Sequence, residues 1–546
     1  MNKTCETCGE NFILSDLEIR QYKKNDVTPL PICFPCQHKH RLSFRNERTL
    51  YTRKCDGTGE SIITIYAPDS PYKVYKNEYW YSDKWDPMEY GMDFDFNRPF
   101  FDQLRELNRK VPRVALINLK HENSDYCNMA VGNKNCYLVF GGDYDEDCMY
   151  MTLSFFCRDC LDADYSNKNE LTYMADNTMD CYDCQYIWDS RNCTNCYFST
   201  DLSGCTECIF CNNLQNKSYC IENKQYTKEE YLRKKAEILD GSYATQRKNW
   251  EKFRHLRESR IVKYAHIMAS ENCTGDYIKN SKNCTSCFDC SNSEDVSESV
   301  FLEGAKDGFN ISFLGHKSEL TYNCISVITS SNIFGSYFIS DSSDIFYSEM
   351  CLNSQDLFGC QGLRRKKYCI LNKQYTKEEY QKMVPKIIEH MKKTGEWGRF
   401  LPKDFSAFAY NEGTGMRYFP LTKEQALQQG FRWRDEDAKS FTPQTYVTPD
   451  NIKDVPDSIT SEVLACTDCK KNFKILQAEL QFYRKLNIPA PRTCADCRQK
   501  ARNTLRNPYV LHLRTCKKCA APIQTAYAPG RPETVYCEKC YLKEVY

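Results

Sequence analysis

The sequence lacks a long apolar run, a large net charge and an apolar segment directly after Met1. Without about 18 consecutive apolar residues, no helix is expected to span a bilayer. The 74 Lys and Arg almost balance the 73 Asp and Glu, so no overall field favours a nucleic acid or a membrane, and any basic surface is local. The missing apolar leader, together with 34 cysteines that often stand in CxxC pairs, predicts a cytoplasmic protein with metal sites instead of disulfides.

Cysteine-rich sequence at the start of the chain recurs at its end with one constant offset, the one that relates Cys5 to Cys466. Zinc takes four soft ligands in a tetrahedron, and a C-x2-C knuckle supplies two of them from one tight turn. Three complete sets of two knuckles predict three structural zinc sites, with no open position for a substrate. The predicted ligands are Cys5, Cys8, Cys33, Cys36, Cys466, Cys469, Cys494, Cys497, Cys516, Cys519, Cys537 and Cys540. The first two sets are typical of a treble clef, and the third is typical of a zinc ribbon.

A fourth set has lost its chemistry. Cys55, Thr58, Lys76 and Tyr79 stand where the later copy has four cysteines, so we predict no zinc there. We expect aromatic packing to replace the metal, by Tyr72, Tyr75, Tyr79, Trp80 and Trp85.

The middle of the chain has a repeat of about 12 residues, which is a period typical of stacked units. Cys136, Cys148 and Cys160 begin one such series, and Ile333, Ile345 and Leu357 belong to a second one. A short fixed period with turn residues before small apolar ones predicts a solenoid of short strands. We take one repeat as half a coil, which predicts two parallel β-helices or β-rolls with about 24 residues per coil.

The exits of the two series also match. Asn223 to Tyr231 recurs at the end of the second series as Asn372 to Tyr380, and each copy has the T-x-x-E spacing of a capping box. We therefore expect a helix after each solenoid, over about 228–262 and 377–393, and a short helix from Thr422 to Gly430. The predicted domains are 1–90 (treble clef plus degenerate ribbon), 91–120 (linker helix and strand), 121–226 (solenoid 1), 227–265 (helical connector), 266–376 (solenoid 2), 377–460 (helix and connecting domain) and 461–546 (tandem treble clef and ribbon).

The solenoid cysteines allow two interpretations. If two repeats make one coil, Cys157, Cys160, Cys181, Cys184, Cys205 and Cys208 stack as CxxC pairs on one face and are candidate ligands of a further zinc or an iron-sulfur cluster. The alternative is that cysteine serves as a small buried hydrophobe. Serine at the equivalent positions 318, 330, 342 and 354 favours this second interpretation, so we expect no metal there.

One phrase carries a family resemblance. Cys466-x2-Cys469-Lys470-x-Asn472-Phe473, followed by Glu479, Tyr483, Pro491 and Cys494-x2-Cys497-Arg498, resembles an uncharacterised bacterial family known only as a probable zinc-ribbon, or treble-clef, domain. The matching segments are 1–55 and 461–515, at the two ends of the repeat region. The resemblance implies zinc binding and no activity.

The leading functional hypothesis is binding of RNA, DNA or a ribonucleoprotein by the terminal modules. Residues 461–546 contain 16 Lys and Arg against 7 Asp and Glu. Arginines at i, i+4 and i+8 of a helix predict a cationic stripe that contacts phosphates without reading sequence. The candidate contacts are Arg498, Lys500, Arg502, Arg506, Lys517 and Lys518, with Lys39, Arg41 and Arg45 in the weaker N-terminal copy.

Two other classes of function stay open. In the first, zinc modules cap a double solenoid that acts as a structural scaffold and presents its length to a protein partner. In the second, the chain is a β-helix enzyme, for which the acidic residues Asp143, Asp145, Glu146 and Asp147 are candidates. The sequence has no Gly-rich phosphate loop or serine elbow, and its histidines lie outside known motifs, so we lean against an enzyme.

Overall fold

The computed structural model describes residues 1–435 and 441–545 and consists mainly of strands in long sheets that are rich in parallel pairs. The chain divides into two compact units. Unit 1 contains Met1–Leu116, Lys263–Arg434 and Pro508–Pro529, and unit 2 contains Ile117–Val262, Asp435–Asn507 and Gly530–Tyr546. The N-terminal treble clef therefore shares a unit with the second repeat series, and the C-terminal treble clef shares a unit with the first.

The first repeat series forms a stack of parallel strands over residues 117–225, here called the first ladder. Leu161 pairs with Tyr173, and Thr172 pairs with Cys184, so each strand pairs with the strand exactly one repeat further along the chain. The prediction that two repeats make one coil is therefore wrong, because partners in such a coil would be two repeats apart. The strands are Asn118–Leu119, Ala130–Val131, Thr152–Phe155, Leu161–Asn167, Glu170–Met179, Tyr182–Arg191, Thr194–Ser203, Thr206–Ile209, Asn212–Gln215 and Ser218–Ile221.

The second series forms an equivalent stack over residues 267–374, the second ladder. Ser331 pairs with Ser343, again one repeat further on. Lys306 pairs with Glu319 instead, so the repeat between these two residues contains one extra residue. The strands are Ile267–Met268, Gly275–Lys279, Cys287–Ser291, Val300–Glu303, Lys306–Gly315, Glu319–Ile328, Ser331–Phe334, Tyr337–Ser340, Ser343–Phe346, Gln355–Phe358 and Lys367–Ile370.

The backbone of each ladder bends at every third residue. Asn177, Asp180, Asp183 and Tyr186 have φ of 52°, 52°, 48° and 53°, which is the left-handed region. Asn and Asp reach this region at little cost because their short polar side chains bond locally. Tyr does not, so burial must offset its strain, and Tyr186 is 5% exposed.

Buried side-chain columns hold successive strands together. In the second ladder, the Ser330 hydroxyl donates to the Ile328 carbonyl at 2.7 Å and accepts the Ser342 N–H at 3.1 Å. In the first ladder, the equivalent column contains cysteine, and Cys181 donates its S–H to the Met179 carbonyl at 3.4 Å. The hydroxyl and the thiol thus donate to the carbonyl at the equivalent position of each ladder. Buried carbonyls need such a partner.

Each ladder ends on an antiparallel turn and a capped helix. Lys224–Gln225 pairs back onto Cys220 and Ile221, and Lys373–Gln374 pairs back onto Cys369 and Ile370. Both capping boxes are formed, which confirms the predicted helix starts. The first predicted helix is two helices, Lys228–Ile238 and Tyr243–Ser259, which are separated near Gly241 (φ 82°). The second is Lys377–Thr394, and the short predicted helix is Lys423–Gln428.

The terminal modules have the elements expected of treble clefs. The N-terminal module (residues 1–50) has strands Asn2–Thr4 and Asn11–Ile13 and helices Asp16–Lys24 and Phe34–Leu42. The C-terminal module (residues 462–507) has strands Leu464–Ala465 and Asn472–Phe473 and helices Gln477–Lys485 and Ala495–Thr504.

A ribbon follows each module along the chain. The ribbon elements are Tyr51–Lys54, Ser61–Thr64, Val74–Tyr75 and helix Asn77–Trp80 after the first module, and His512–Thr515, Pro522–Thr525, Thr534–Tyr536 and helix Glu538–Val545 after the second. The remaining elements are helices Phe100–Lys110 and Gly415–Tyr418, 3-10 turns Pro87–Tyr90, Lys403–Phe405, Tyr410–Glu412, Ile452–Asp454 and Asp457–Ser461, and strands Arg113–Val114 and Ile261–Lys263. Within the described part of the chain, no helix is both long and apolar enough to cross a membrane.

Candidate metal centres

The first ligand pair of each treble clef lies in a tight turn. In the N-terminal module, the Cys5 N–H donates to the Glu10 carbonyl and the Gly9 N–H donates to the Cys5 carbonyl, both at 2.9 Å. The equivalent bonds of the C-terminal module join Cys466 to Lys471 and Lys470 to Cys466, at 2.9 and 3.0 Å. Gly9 and Lys470 both have a positive φ, which closes the turn and brings the two thiols to one side.

The second ligand pair of each module begins a helix and completes a tetrahedron. The Sγ atoms of Cys8 and Cys33 are 3.8 Å apart, and those of Cys469 and Cys494 are 3.7 Å apart. Zinc with Zn–S bonds of about 2.3 Å requires an edge of about 3.8 Å between sulfurs. All four sulfurs of each module lie within 4.8 Å of one another, so both sites fit zinc.

Backbone hydrogen bonds lower the pKa of one ligand thiol in each module. The Cys33 N–H reaches Cys5 Sγ at 3.4 Å, and the Cys494 N–H reaches Cys466 Sγ at 3.3 Å. Burial alone would raise the pKa of Cys5, but N–H donors from Cys33 and neighbouring residues outweigh it and lower that pKa to about 6. The pKa of Cys466 falls to about 7 for the same reason. Both thiols are therefore ready to ligate a metal at neutral pH.

The third predicted set also comes together. Cys516, Cys519, Cys537 and Cys540 place their sulfurs within 4.8 Å of one another, and the Ala520 N–H closes the first knuckle on the Cys516 carbonyl at 2.9 Å. The three tetracysteine groups are compatible with three structural zinc sites. With four thiolates in each, zinc would stabilise the local fold and offer no position to a substrate.

The degenerate set keeps the turn and loses the ligands. The Cys55 N–H still donates to the Glu60 carbonyl at 2.8 Å, and Cys55 Sγ accepts the Lys76 N–H at 3.3 Å. The Tyr79 ring packs so closely on Gly57 that a Cβ there would lie 2.6 Å from it. The predicted aromatic packing is confirmed, since Trp80 is 1% exposed and Trp85 is buried beside it with ring centroids 5.7 Å apart. The absence of zinc from this set stays a prediction.

The arginines predicted to form an exposed stripe lie instead against the first ladder. Arg502 is 0% exposed, with Nε 3.0 Å from Asp164 and Nη1 2.9 Å from Asp162. Arg498 Nε is 2.6 Å from Asp162, and Arg506 Nη1 is 2.9 Å from Asp176. The prediction of an exposed stripe on these arginines is wrong, because three carboxylates of the same unit already pair with them.

The N-terminal copy is buried in a similar way but has fewer charges opposite it. Arg41 is 0% exposed and donates to the Asn323 side chain at 3.1 Å. Arg45 pairs with Glu47 at 2.6 Å and lies 4.2 Å from the centre of the Phe313 ring. Lys39 is half-buried and donates to the Gln429 amide oxygen. Of the nine candidate phosphate contacts, the exposed ones are Lys500, Lys517 and Lys518.

The aspartates that receive the arginines are the functional residues that sequence reasoning missed. Asp162 and Asp164 flank Ala163 in a strand that is buried from Leu161 to Asp164. Two acidic residues in a buried strand require buried partners, so the sequence indicates that such partners exist. It does not identify them, since Asp162 and Arg498 lie 336 residues apart.

The ladder cysteines make short contacts with the backbone. Cys160 donates to the Arg158 carbonyl at 3.2 Å, and Cys184 donates to the Tyr182 carbonyl at 3.3 Å. The same arrangement is found for Cys157, Cys181, Cys205 and Cys208. Among the described residues, the close groups of ligand atoms that contain cysteine are the three terminal ones. These bonds support a packing role for the ladder thiols.

Of the four acidic candidates for an enzyme, Asp145 is the buried one. Asp145 is 1% exposed and accepts the Ser154 hydroxyl at 2.6 Å and the Cys157 N–H at 2.8 Å. Asn133 and Asn169 accept the N–H one repeat later in the same column, so Asp145 occupies an asparagine position. Asp143, Glu146 and Asp147 lie nearer the surface.

Burial raises the pKa of Asp145 to about 7, although the hydrogen bonds to its carboxylate oppose this shift. The folded protein then binds this proton more tightly than the unfolded chain, so stability falls as the pH rises from about 4 to about 7.

Asp145→Asn is expected to raise the free energy of unfolding above pH 7 by on the order of 4 kcal/mol and to change it little at pH 4. Urea unfolding at the two pH values measures this. The exposed Asp147→Asn is the control, and an equal effect of both variants would contradict the assignment.

A scan against protein-family models and a search of curated proteins find no match to this chain.

Proposed function

We propose that this protein is a non-catalytic scaffold, in which zinc-held modules brace two β-solenoids whose coils each contain a single repeat. The observation that carries the proposal is the use of the basic helix Ala495–Thr504. Its Arg498 and Arg502, with Arg506 just beyond the helix end, are buried in ion pairs with the first ladder, so the cationic face serves as an intramolecular brace.

The ends of the ladders support the same role. An open edge of a parallel stack exposes unpaired backbone groups that invite aggregation. Each C-terminal end is covered by its antiparallel turn and capped helix. At the entry to the second ladder, Thr525 of the C-terminal ribbon donates its hydroxyl to the Tyr264 carbonyl at 2.6 Å. The corresponding Thr64 donates to the Ala115 carbonyl at 3.0 Å. Such end protection leaves the length of the solenoids for a protein partner.

We do not propose a reaction. Each candidate zinc site has four thiolate ligands, and the buried acidic candidate Asp145 accepts hydrogen bonds within its own ladder. The free cysteines of the described chain, most of which are buried, also suit a reducing cytoplasm, where we place the protein.

A second candidate function is weak nucleic-acid binding by the exposed lysines of the C-terminal module and ribbon. Lys517 and Lys518 lie on one knuckle, and Lys500 faces solvent on the basic helix. Three lysines are few, because the affinity that phosphate contacts supply grows with their number.

Fluorescence anisotropy with mixed-sequence RNA and DNA separates the two candidates. The scaffold proposal predicts no saturable binding between about 50 and 200 mM salt, since the arginines are already paired. Saturable binding that falls steeply with salt, and that a Lys500→Ala, Lys517→Ala, Lys518→Ala variant loses, would contradict the scaffold and favour the nucleic-acid function. A pull-down from host extract with and without nuclease then distinguishes protein partners from partners that are held through nucleic acid.

A further inference from the structure

The two treble clefs dock on their ladders through equivalent helices. Arg41 and Arg502 are related by the same module offset as Cys5 and Cys466, and so are Gln37 and Arg498. On the ladders, Asn310 contacts Gln37 as Asp162 contacts Arg498. Ser312 then corresponds to Asp164, since each lies two positions beyond that contact residue. Each unit thus contains its own version of one interface.

In unit 2, each of the three arginines at this interface has a carboxylate partner. Arg502 donates to Asp164 and Asp162, and its remaining nitrogen reaches the Tyr150 carbonyl at 3.4 Å. Glu479 accepts the Tyr150 hydroxyl at 3.0 Å and the Tyr483 hydroxyl at 2.6 Å. A buried cation with well-placed carboxylates and donors loses little relative to water.

In unit 1, the equivalent arginine, Arg41, is buried, and the ladder positions that correspond to Asp162 and Asp164 have no carboxylate. Arg41 keeps one neutral partner, Asn323, and its Nε and Nη2 atoms have no hydrogen-bond partner among the described residues. Asparagine and serine occupy positions 310 and 312, where the other unit has Asp162 and Asp164. Burial lowers the pKa of Arg41 to about 10, and Glu298 only partly opposes this.

Other polar atoms of this interface are also unsatisfied. Within the described chain, no hydrogen-bond partner is found for Glu18 Oε1, Tyr22 Oη, Glu298 Oε2, Asn310 Oδ1 and Ser312 Oγ. All five residues are buried, and water would satisfy their unpaired groups on exposure, which favours release. Aromatic contacts and hydrogen bonds oppose release, such as Tyr22 against Phe309 with ring centroids 4.8 Å apart and the Gln21 amide, which donates to the Gly308 carbonyl at 3.0 Å.

We propose that the N-terminal module is a releasable latch on the second ladder, and that it undocks as a zinc-held unit far more readily than the C-terminal module undocks from the first ladder. Release hydrates the Arg41 guanidinium and the unsatisfied oxygens, and it exposes Tyr22 of the module and Phe309 of the ladder. The C-terminal module stays docked because its release would separate three carboxylates from three arginines.

Hydroxyl-radical footprinting of the full-length, zinc-loaded protein tests the latch. Tyr22 and Tyr483 are equivalent residues with 0% exposure when docked, so they form a matched pair within one sample. We expect Tyr22 to be oxidised at least about tenfold faster than Tyr483, the factor that one unsatisfied group of about 1.4 kcal/mol produces. Equal oxidation would overturn the proposal.

Two reciprocal variants locate the cause. Ser312→Asp supplies a carboxylate for Arg41 Nε, and we expect it to slow Tyr22 oxidation several-fold without a change at Tyr483. Asp164→Ser removes the Nε partner of Arg502 and is expected to speed Tyr483 oxidation only. No response of Tyr22 to Ser312→Asp would overturn the role of Arg41. Native mass spectrometry of each sample separates undocking from unfolding, because a module that unfolds loses its zinc. If Tyr22 were oxidised only in zinc-depleted protein, that result would also overturn the proposal.

Discussion

Replacement of Cys466 with alanine is expected to unfold the C-terminal treble clef and to detach its basic helix from the first ladder. Three thiolates bind zinc more weakly than four, and structural zinc supplies apparent binding energies of about 10 kcal/mol or more in isolated fingers. The small core around Cys466, Cys494 and Phe473 does not replace that energy. Limited proteolysis and hydrogen exchange of residues 466–504 measure the effect.

The matched control is Cys55→Ala, in the set that has lost three of its four ligands. This thiol accepts a backbone N–H from Lys76, so its loss is expected to cost only about 1 kcal/mol. Equal destabilisation by Cys466→Ala and Cys55→Ala would contradict the assignment of the metal centres.

Arg502→Met is expected to destabilise unit 2 by about 3–5 kcal/mol. The methionine fills most of the space but leaves the Asp164 carboxylate without its Nε donor and Asp162 with Arg498 alone. Both aspartates are 0% exposed, so water does not compensate them in the docked state. Urea unfolding followed by signals from unit 2 measures the loss.

Lys500→Met is the control for Arg502→Met. It removes a positive charge from the same helix at an exposed position and is expected to change stability by less than about 0.5 kcal/mol. If Arg502→Met instead cost no more than an exposed salt bridge, about 1 kcal/mol or less, the arginine would not be a brace.

The sequence predicts the metal centres well because their information is local. A C-x2-C knuckle contains its own turn, and two knuckles with a helix define the four ligands. The capping boxes at Thr227 and Thr376 were predictable for the same reason, since the hydroxyl and the glutamate lie within one helical turn.

The one-repeat spacing of paired strands was not predictable from turn residues. Each ladder bends at every third residue, but only some bends have Asn, Asp or Gly. Tyr186 and Phe198 adopt the same left-handed conformation, with φ of 53° and 48°. The packing of these rings in the buried core offsets a backbone cost that their residue type conceals.

The role of the basic helix was not predictable either. A cationic stripe has the same sequence whether it faces solvent, phosphate or a buried carboxylate. Only the fold brings Arg502 to Asp164, 338 residues away. Asp162 and Asp164, at the buried start of strand Leu161–Asn167, indicate that basic partners exist, but the sequence does not say which residues they are.

Three tetracysteine zinc sites are expected to hold the terminal modules, and the degenerate fourth set is expected to hold none. Native mass spectrometry of the full-length protein, purified without chelator, counts the bound ions. We expect three zinc ions per chain, two in the Cys466→Ala variant and three in the Cys55→Ala variant. Four zinc ions in the unmodified chain, or the loss of one by Cys55→Ala, would instead place a metal at the degenerate set.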